Sequence, residues 1–278
     1  NFQFRRLDLN DDADAIISLI NSEKPKYIID FAGQGMVAQS WGSPLQWYKT
    51  NLLSKVKLIE EISAKKWLEK YIRISTPEVY GHSEKKLDET AKFNPSTPYA
   101  VSHSAIDLHL NALFKNFNFP VIIGRFANFY GPSQQLYRII PRTILSILSN
   151  QKLPLHGGGN SSRAFIYGTD VANAIVHMIK KGVKGSTYHF SSKEFVSIKS
   201  LVCQICDKMN ARYEKVVMVT DDRIGKDKSY DMTCATTQKI LGWENQISLN
   251  EGLSKCISWL TENYSDIKDL PRDYIHKA

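Results

Sequence analysis

The sequence predicts an α/β protein built on a doubly wound parallel sheet, with a smaller mixed α/β lobe towards the C-terminus. Three observations predict it. Short β-branched runs alternate with helix-length amphipathic segments, which is the pattern of strands joined by right-handed helical crossovers. Small and polar residues, FAG, STPE and RFAN, close those runs, at the strand ends where open α/β sheets bind ligands. After Pro132 the alternation gives way to shorter elements and a glycine-rich loop.

The elements follow in order. NFQFRRLDLND (1–11) reads as a strand, a loop and a helix cap. KYIIDFAG (26–33), KYIRIST (70–76) and FPVIIGRFANFYG (119–131) read as buried parallel strands, because near-continuous apolar runs suit a sheet covered on both faces. Helices are expected over 44–64 and 99–116, the second with Ala105, Leu108, Ala112 and Leu113 at helical spacing. Residues 139–150 read as a helix. LPLHGGGNSSRAFIY (153–167) is a glycine-rich loop running into a strand, and 168–180 form a helix with Asp170 near its start. Short strands and helices continue from Gly185 to a last helix over 249–263. The expected division is a nucleotide-binding part over 1–132 and a substrate lobe over 133–278, interleaved with the end of the first.

Composition narrows the function classes. A chain of 278 residues with 42% apolar residues can bury a sizeable core. No apolar run is long enough to span a bilayer, and the charged-then-apolar pattern of a signal peptide is missing, so a cytoplasmic protein without a membrane role is expected. The formal charge of +8 is scattered, its densest cluster being Lys65-Lys66, and no basic stripe interleaved with aromatics appears. Nucleic acid is therefore not the expected partner; a positive field also suits a small phosphate-bearing substrate. Cys203 and Cys206 stand in a helix-like stretch without the second pair that a zinc site needs, and read as packed thiols; no metal is expected.

A doubly wound nucleotide domain opens with strand, glycine-rich turn and helix, because glycines let the backbone approach a pyrophosphate at a helix N-terminus. Gly157–Gly159 precede a strand and cannot play that part. The expectation is a natural chain that has about fifty further residues before Asn1, one βαβ unit plus a strand.

In their order and spacing, DxxD, FAG, TN, STxEVYG, PYxxS, RxxNxYGP, GxGxxxR and DRxGKDxSY resemble the extended short-chain dehydrogenase/reductase superfamily. Within it, the chain is most similar to the nucleotide-sugar 4,6-dehydratases of the dTDP-glucose type. The resemblance implies a Rossmann-like domain, NAD as an internal redox cofactor, a nucleoside-diphosphate sugar as substrate, and a homodimer formed by the helices of 44–64 and 99–116, with Trp47, Leu52 and Leu53 at the interface.

Site residues follow from the matched positions. Tyr99 would take the proton of the sugar C4 hydroxyl, which requires a phenol pKa below the ordinary value of about 10. Thr76 would bond the same hydroxyl, and Glu78 would remove the C5 proton, acidified once C4 is a ketone. Asp8 and Leu9 would lie by the adenine, where an acid favours NAD over NADP. Phe31, Ala32 and Gly33 would line the pyrophosphate and ribose, with Thr50 and Asn51 beside them. Ser75 and Thr76 would sit under the nicotinamide, and Phe126 and Ala127 would meet its carboxamide. Asn128, Arg163 and Arg223 would grip the diphosphate, since guanidinium offers paired donors to phosphate oxygens. Lys226 stands where the resembled enzymes have histidine, and Leu155 and His156 lie where the base would stack.

Two residues depart from the pattern. The aspartic acid that protonates the departing C6 hydroxyl is here Pro77, which supplies no polar group. The lysine one helical turn after the tyrosine, which binds the nicotinamide ribose and lowers the tyrosine pKa, is here His103, a group mostly neutral at pH 7. A slow enzyme or a higher pH optimum is expected. The open alternatives are a 4-epimerase or decarboxylase acting on a nucleotide sugar, and a homologue that binds a nucleotide sugar without turnover.

Overall fold

The computed structural model describes residues 2–222, 225 and 227–276. Its central sheet is parallel throughout, in the order β1 (Tyr27–Asp30), β2 (Lys70–Ser75), β3 (Val121–Phe126), β7 (Thr187–Phe190). The side chains of β2 and β3 alternate between two buried faces, which is why these strands read as unbroken apolar runs. Tyr71, Val121 and Ile123 pack with Ile59, Ile62, Ile106 and Leu110 on one face. Ile72, Ile74 and Ile122 pack with Val171, Ala174, Met178 and Leu241 on the other.

The first face is covered by α1 (Ala13–Glu23), by a helical run made of α2 (Pro44–Tyr48), a π-helical turn Lys49–Leu53 and α3 (Ser54–Ile62), and by α4 (Pro98–Phe117). The helix α4 is fixed at both ends. Thr97 Oγ1 accepts a 3.2 Å hydrogen bond from the N–H of Ala100, Pro98 occupies the first turn where no N–H is needed, and Asn118 closes the helix in the left-handed region at φ 55°.

The expected strand over the first residues is not formed. Residues 2–7 have no strand structure, and Phe2 and Phe4 are 91% and 75% exposed. A strand exists through its ladder, and among the described residues β1 pairs with β2 alone. The run 119–131 also divides: β3 ends at Phe126, and β4 (Asn128–Tyr130) turns away to join a second sheet beyond Ala127.

That second sheet has the order β4, β6 (Ser162–Tyr167), β8 (Phe195–Ser197), and β5 (Leu153–His156) pairs in parallel with β9 (Val217–Thr220). Around them pack α5 (Ile139–Leu148), α7 (Ile198–Lys208) and α10 (Leu249–Glu262), with short helices α8 (Tyr213–Val216) before β9 and α11 (Tyr264–Ile267) at the end. The remaining helices, α6 (Gly168–Lys181) and α9 (Ala235–Leu241), cover the second face of the central sheet. The Asp170 carboxylate in the first turn of α6 accepts from the N–H groups of Gln246 and Ile247, tying the chain before α10 to this layer. Cys206 is buried against Leu153, Leu155 and Val202, and burial pushes its thiol up to about 11. Among the described residues no helix is long and apolar enough to cross a membrane.

Candidate active site

The site grows from the end of β2. After Ser75 the chain turns into a 3-10 helix, Pro77–Tyr80, whose first N–H is capped by Thr76: its Oγ1 accepts from the N–H of Glu78 at 3.3 Å. Pro77 fits because the first position of a helix needs no donor and a fixed φ suits it. Gly81 then leaves at φ 67°, where a Cβ would stand 2.1 Å from the carbonyl oxygen of Asn94, so no other residue can make this turn unstrained. The turn places Thr76 and Glu78 opposite the start of α4, which carries Tyr99 and, one turn on, His103.

Thr76, Glu78 and Tyr99 face one cavity of about 590 Å³ between the central sheet and the C-terminal lobe. Thr76 faces the Tyr99 phenol and favours its ionised form. Tyr230, from the far end of the chain, donates from its hydroxyl to Glu78 Oε1 at 3.1 Å. Burial pushes the Glu78 carboxyl up to about 7, with the charge of Asp227 adding to it and Arg163, Tyr230 and Arg138 opposing it. Burial, then the Glu78 charge, pushes Tyr99 up to about 12; Thr76, Arg138 and Arg73 pull the other way.

Behind Tyr99 lies His103, its ring centroid 4.4 Å from that of the tyrosine. Burial, then the charges of Arg73 and Lys55, holds its imidazole well below the ordinary range, so it is neutral. The Arg73 Nη2 meets Nδ1 of His103 at 2.7 Å. Arg73 itself belongs to a buried charge network: its Nη1 is 3.3 Å from Asp30 Oδ2, which also accepts from Tyr71 while Lys55 holds Oδ1, and its Nε is 3.6 Å from Asp107 Oδ1. The other Asp107 oxygen receives Arg125 at 3.2 Å and the hydroxyl of Ser75 at 2.6 Å.

The remaining expected contacts are distributed as follows. Phe31, Ala32 and Gly33 lie exposed at the end of β1. Ser75 reaches the cavity, with its hydroxyl engaged by Asp107, as do Ala127 and Phe126, the latter stacked on Phe190 at 4.6 Å. Thr50 accepts from Asn10, and Asn51 is fully buried, clamping both backbone groups of Gln34 and bonding Ser102 Oγ. Asn51 therefore shapes the loop after β1 and has no exposed surface to offer a ligand, a correction to the expected contact. Asp8 is exposed and bonds the N–H of Asn10, with Leu9 half-buried beside it.

On the lobe side, Asn128, Leu155, His156 and Arg163 all line the cavity. His156 Nδ1 is bonded within the lobe, to the hydroxyl of Thr220 at 3.0 Å. Arg163 gives three hydrogen bonds to the carbonyls of Ser162, Asp227 and Lys228 and lies 4.2 Å over the ring of Tyr230, so much of its guanidinium holds the segment that carries Tyr230. Arg223 and Lys226 lie outside the described residues. Sequence reasoning missed Arg138, Asp227 and Tyr230, which line the same cavity, and Arg73 beneath it. Arg73 carried a signal: a charged residue inside a β-branched run, YIRIS, must find buried partners. The same signal marks Asp30 and Arg125.

The residues fit the nicotinamide half of a dinucleotide. A polar floor at Ser75 and Thr76 and an apolar wall at Phe126 and Ala127 share the cavity with Tyr99, and the exposed residues Phe31–Gly33 close the neighbouring strand β1.

Comparison with known proteins finds relatives over nearly the whole chain. A family model described as GDP-mannose 4,6 dehydratase matches residues 1–256. A dTDP-D-glucose 4,6-dehydratase of Bos taurus is 32% identical over 280 residues, covering 98% of this chain and 78% of its own length. A trifunctional UDP-glucose 4,6-dehydratase/UDP-4-keto-6-deoxy-D-glucose 3,5-epimerase/UDP-4-keto-L-rhamnose-reductase of Arabidopsis thaliana is 30% identical over 267 residues, covering 95% of this chain; the chain spans 40% of that protein's length. Among solved structures, a double mutant of the dTDP-glucose 4,6-dehydratase DesIV from Streptomyces venezuelae, with NAD bound, superposes with a TM-score of 0.91 at 25% identity, over 97% of this chain and 82% of that one. By sequence over nearly its whole length and by fold, the chain belongs to the GDP-mannose 4,6 dehydratase family, among the extended short-chain dehydrogenases/reductases.

Proposed function

We propose that the protein is a nucleotide-sugar 4,6-dehydratase-like lyase that uses NAD as an internal redox cofactor. The observation that carries this reading is Glu78: a half-buried carboxyl, raised to about 7, sharing one cavity with Thr76 and Tyr99. A base poised near neutrality is what abstraction of a proton beside a ketone requires. The relatives named above act on dTDP-glucose and UDP-glucose, and a nucleoside-diphosphate hexose is the substrate class proposed here.

NAD, when bound, supplies oxidation at C4 of the sugar and the matching reduction at C6. Tyr99 would accept the proton of the C4 hydroxyl in its ionised form. Burial and the Glu78 charge oppose that form, contrary to the lowered phenol expected from the sequence, while Thr76, Arg138 and Arg73 favour it; Thr76 would orient the same hydroxyl. Glu78 takes the C5 proton, and Tyr230 steadies the carboxylate that forms or is consumed. The C6 oxygen leaves as water and needs one proton. Pro77 has none to give; Asp227 lines the cavity, and burial raises its carboxyl, which makes it the proposed donor. Asn128, Arg138 and Arg163 line the cavity as contacts for the diphosphate, and Leu155 and His156 line it as contacts for the base; Arg223 is a further expected contact for the diphosphate and Lys226 for the substrate.

The site has no polar group at Pro77, and this favours a second reading, oxidation at C4 followed by epimerisation or decarboxylation instead of water loss. A sugar-binding homologue without turnover is the third. Incubation with NAD and a panel of dTDP-, UDP- and GDP-hexoses separates them by product mass: loss of one water for the dehydratase, an unchanged mass with inverted C4 for the epimerase, loss of carbon dioxide from a uronic acid for the decarboxylase, and bound but unchanged substrate for the last.

A homodimer is part of the proposal. Leu45 and Leu53 on the helical run 44–62 and Val101 and Leu108 on α4 are 74%, 58%, 40% and 56% exposed, an apolar surface on two neighbouring helices. Trp47 is not part of it: it is fully buried, donates to the carbonyl of Gly35 and stacks on His276. A cytoplasmic location is also part of the proposal, supported by the substrate class and cofactor proposed above.

A further inference from the structure

The structure places an arginine where it can do the work of the missing lysine. Arg73 lies on β2, two residues before Ser75, and is 1% exposed. Its guanidinium has only donors, so the 2.7 Å contact between Nη2 and Nδ1 of His103 requires Nδ1 to accept. A neutral imidazole that accepts at Nδ1 carries its hydrogen on Nε2. None of the hydrogen bonds found among the described residues uses Nε2. His103 is thereby fixed in one tautomer, with one committed acceptor and one uncommitted donor, on the helix face that carries Tyr99 and with the two rings 4.4 Å apart.

We propose that Arg73 is a positioning residue: it locks His103 as the Nε2–H tautomer and supplies beneath Tyr99 the fixed positive charge that a lysine on α4 would otherwise bring, leaving Nε2–H to donate to a ribose hydroxyl of the cofactor. The two functions of one lysine, donor and cation, are divided between two residues. Asp30 and Asp107 make this arrangement possible, because without their carboxylates at 3.3 and 3.6 Å the buried guanidinium would stand unpaired. Arg73 acts on catalysis in this way only if Tyr99 is the proton acceptor proposed above; its effect on His103 does not depend on that.

The groups that face this pair are few. Tyr99 is faced by Thr76 and Glu78 after β2, by Arg138 before α5, by Tyr230, and by Arg73 from below. His103 is faced by Arg73 from β2 and by Lys55 from α3. Lys55 is lowered to about 8 by burial and by Arg73, so the phenol must be titrated above that range.

The test is NMR on the free protein, without substrate or NAD. With ¹⁵N-labelled histidine, the His103 ring is expected as the neutral Nε2–H tautomer from pH 5 to 8, and a protonated ring or the Nδ1–H tautomer would overturn the assignment. With tyrosine labelled at Cζ and the Tyr99 signal assigned through Tyr99→Phe, the phenol is expected to titrate about one unit higher in Arg73→Leu than in the wild type, with Arg73→Lys in between. An unchanged Tyr99 midpoint in both variants would remove the electrostatic role. Should Arg73→Leu fail to fold, Arg73→Lys decides alone: it keeps a cation but loses the forked reach, so the tautomer is expected to become mixed, and a wholly Nε2–H ring there would contradict the positioning role. A locked tautomer and a shifted phenol in a protein that turns over no nucleotide sugar would leave this inference standing while the dehydratase reading fails.

Discussion

The Tyr230 hydroxyl donates to Oε1 of Glu78 across 3.1 Å, although the two residues are 152 positions apart. One belongs to the turn after β2 and the other to the loop before α9, so the C-terminal part of the chain reaches back to complete the site. The bond opposes the rise that burial imposes on the Glu78 carboxyl. Tyr230→Phe should therefore move the acid limb of the rate profile to higher pH and lower kcat at pH 7 by about tenfold. A pH profile of turnover checks both, and a profile superimposable on the wild type would show that Tyr230 does not tune Glu78.

Glu78 also makes stability depend on pH, with a definite sign. Its folded value of about 7 lies above the ordinary carboxylate value. Between those two values the folded state holds the proton more tightly than the unfolded one, so stability falls as pH rises from the acid side through 7. Above 7 the folded protein must keep a buried charge. Glu78→Gln is expected to raise stability at pH 8 by up to about 2 kcal/mol, with no gain at pH 4, while abolishing turnover. Urea melts at the two pH values measure this; equal effects at both would contradict the buried charge.

The Asp107 carboxylate holds two arginines and a serine together at the centre of the sheet. Asp107→Asn keeps the shape and removes the charge, leaving Arg125 without its carboxylate and Arg73 with Asp30 alone in a buried setting. A loss of about 3–5 kcal/mol is expected in denaturant unfolding, far beyond what a surface carboxylate contributes.

How much of this was legible follows from where each signal lies in the chain. The strands β2 and β3 announced themselves because both their faces are buried, and Thr76, Glu78 and Tyr99 because the motif around them is local. The strand expected over residues 2–7 failed because a ladder partner is a property of the sheet and not of the segment. Asp227 and Tyr230 stand in the DRxGKDxSY motif, but their place beside β2, like that of Arg138, was not legible because only folding brings them there. Arg73 could have been suspected from its place in an apolar run, but its partners His103 and Asp30, 30 and 43 positions away, could not.

Leu53→Glu combined with Leu108→Glu places charges on the exposed apolar surface of the paired helices without touching the core. If the surface is the dimer contact, the double variant should run as a monomer in light scattering while the wild type runs as a dimer. A dimer that survives both charges would place the contact elsewhere.

The central claim is that Glu78 removes the C5 proton after oxidation at C4. The most direct measurement is turnover of a nucleoside-diphosphate glucose in deuterium oxide, followed by NMR and mass analysis of the product. The account predicts a 4-keto-6-deoxy sugar that has lost one water and carries solvent deuterium at C5, with neither change in Glu78→Gln. A product that is inverted at C4, keeps its original hydrogen at C5 and retains its full mass would contradict it.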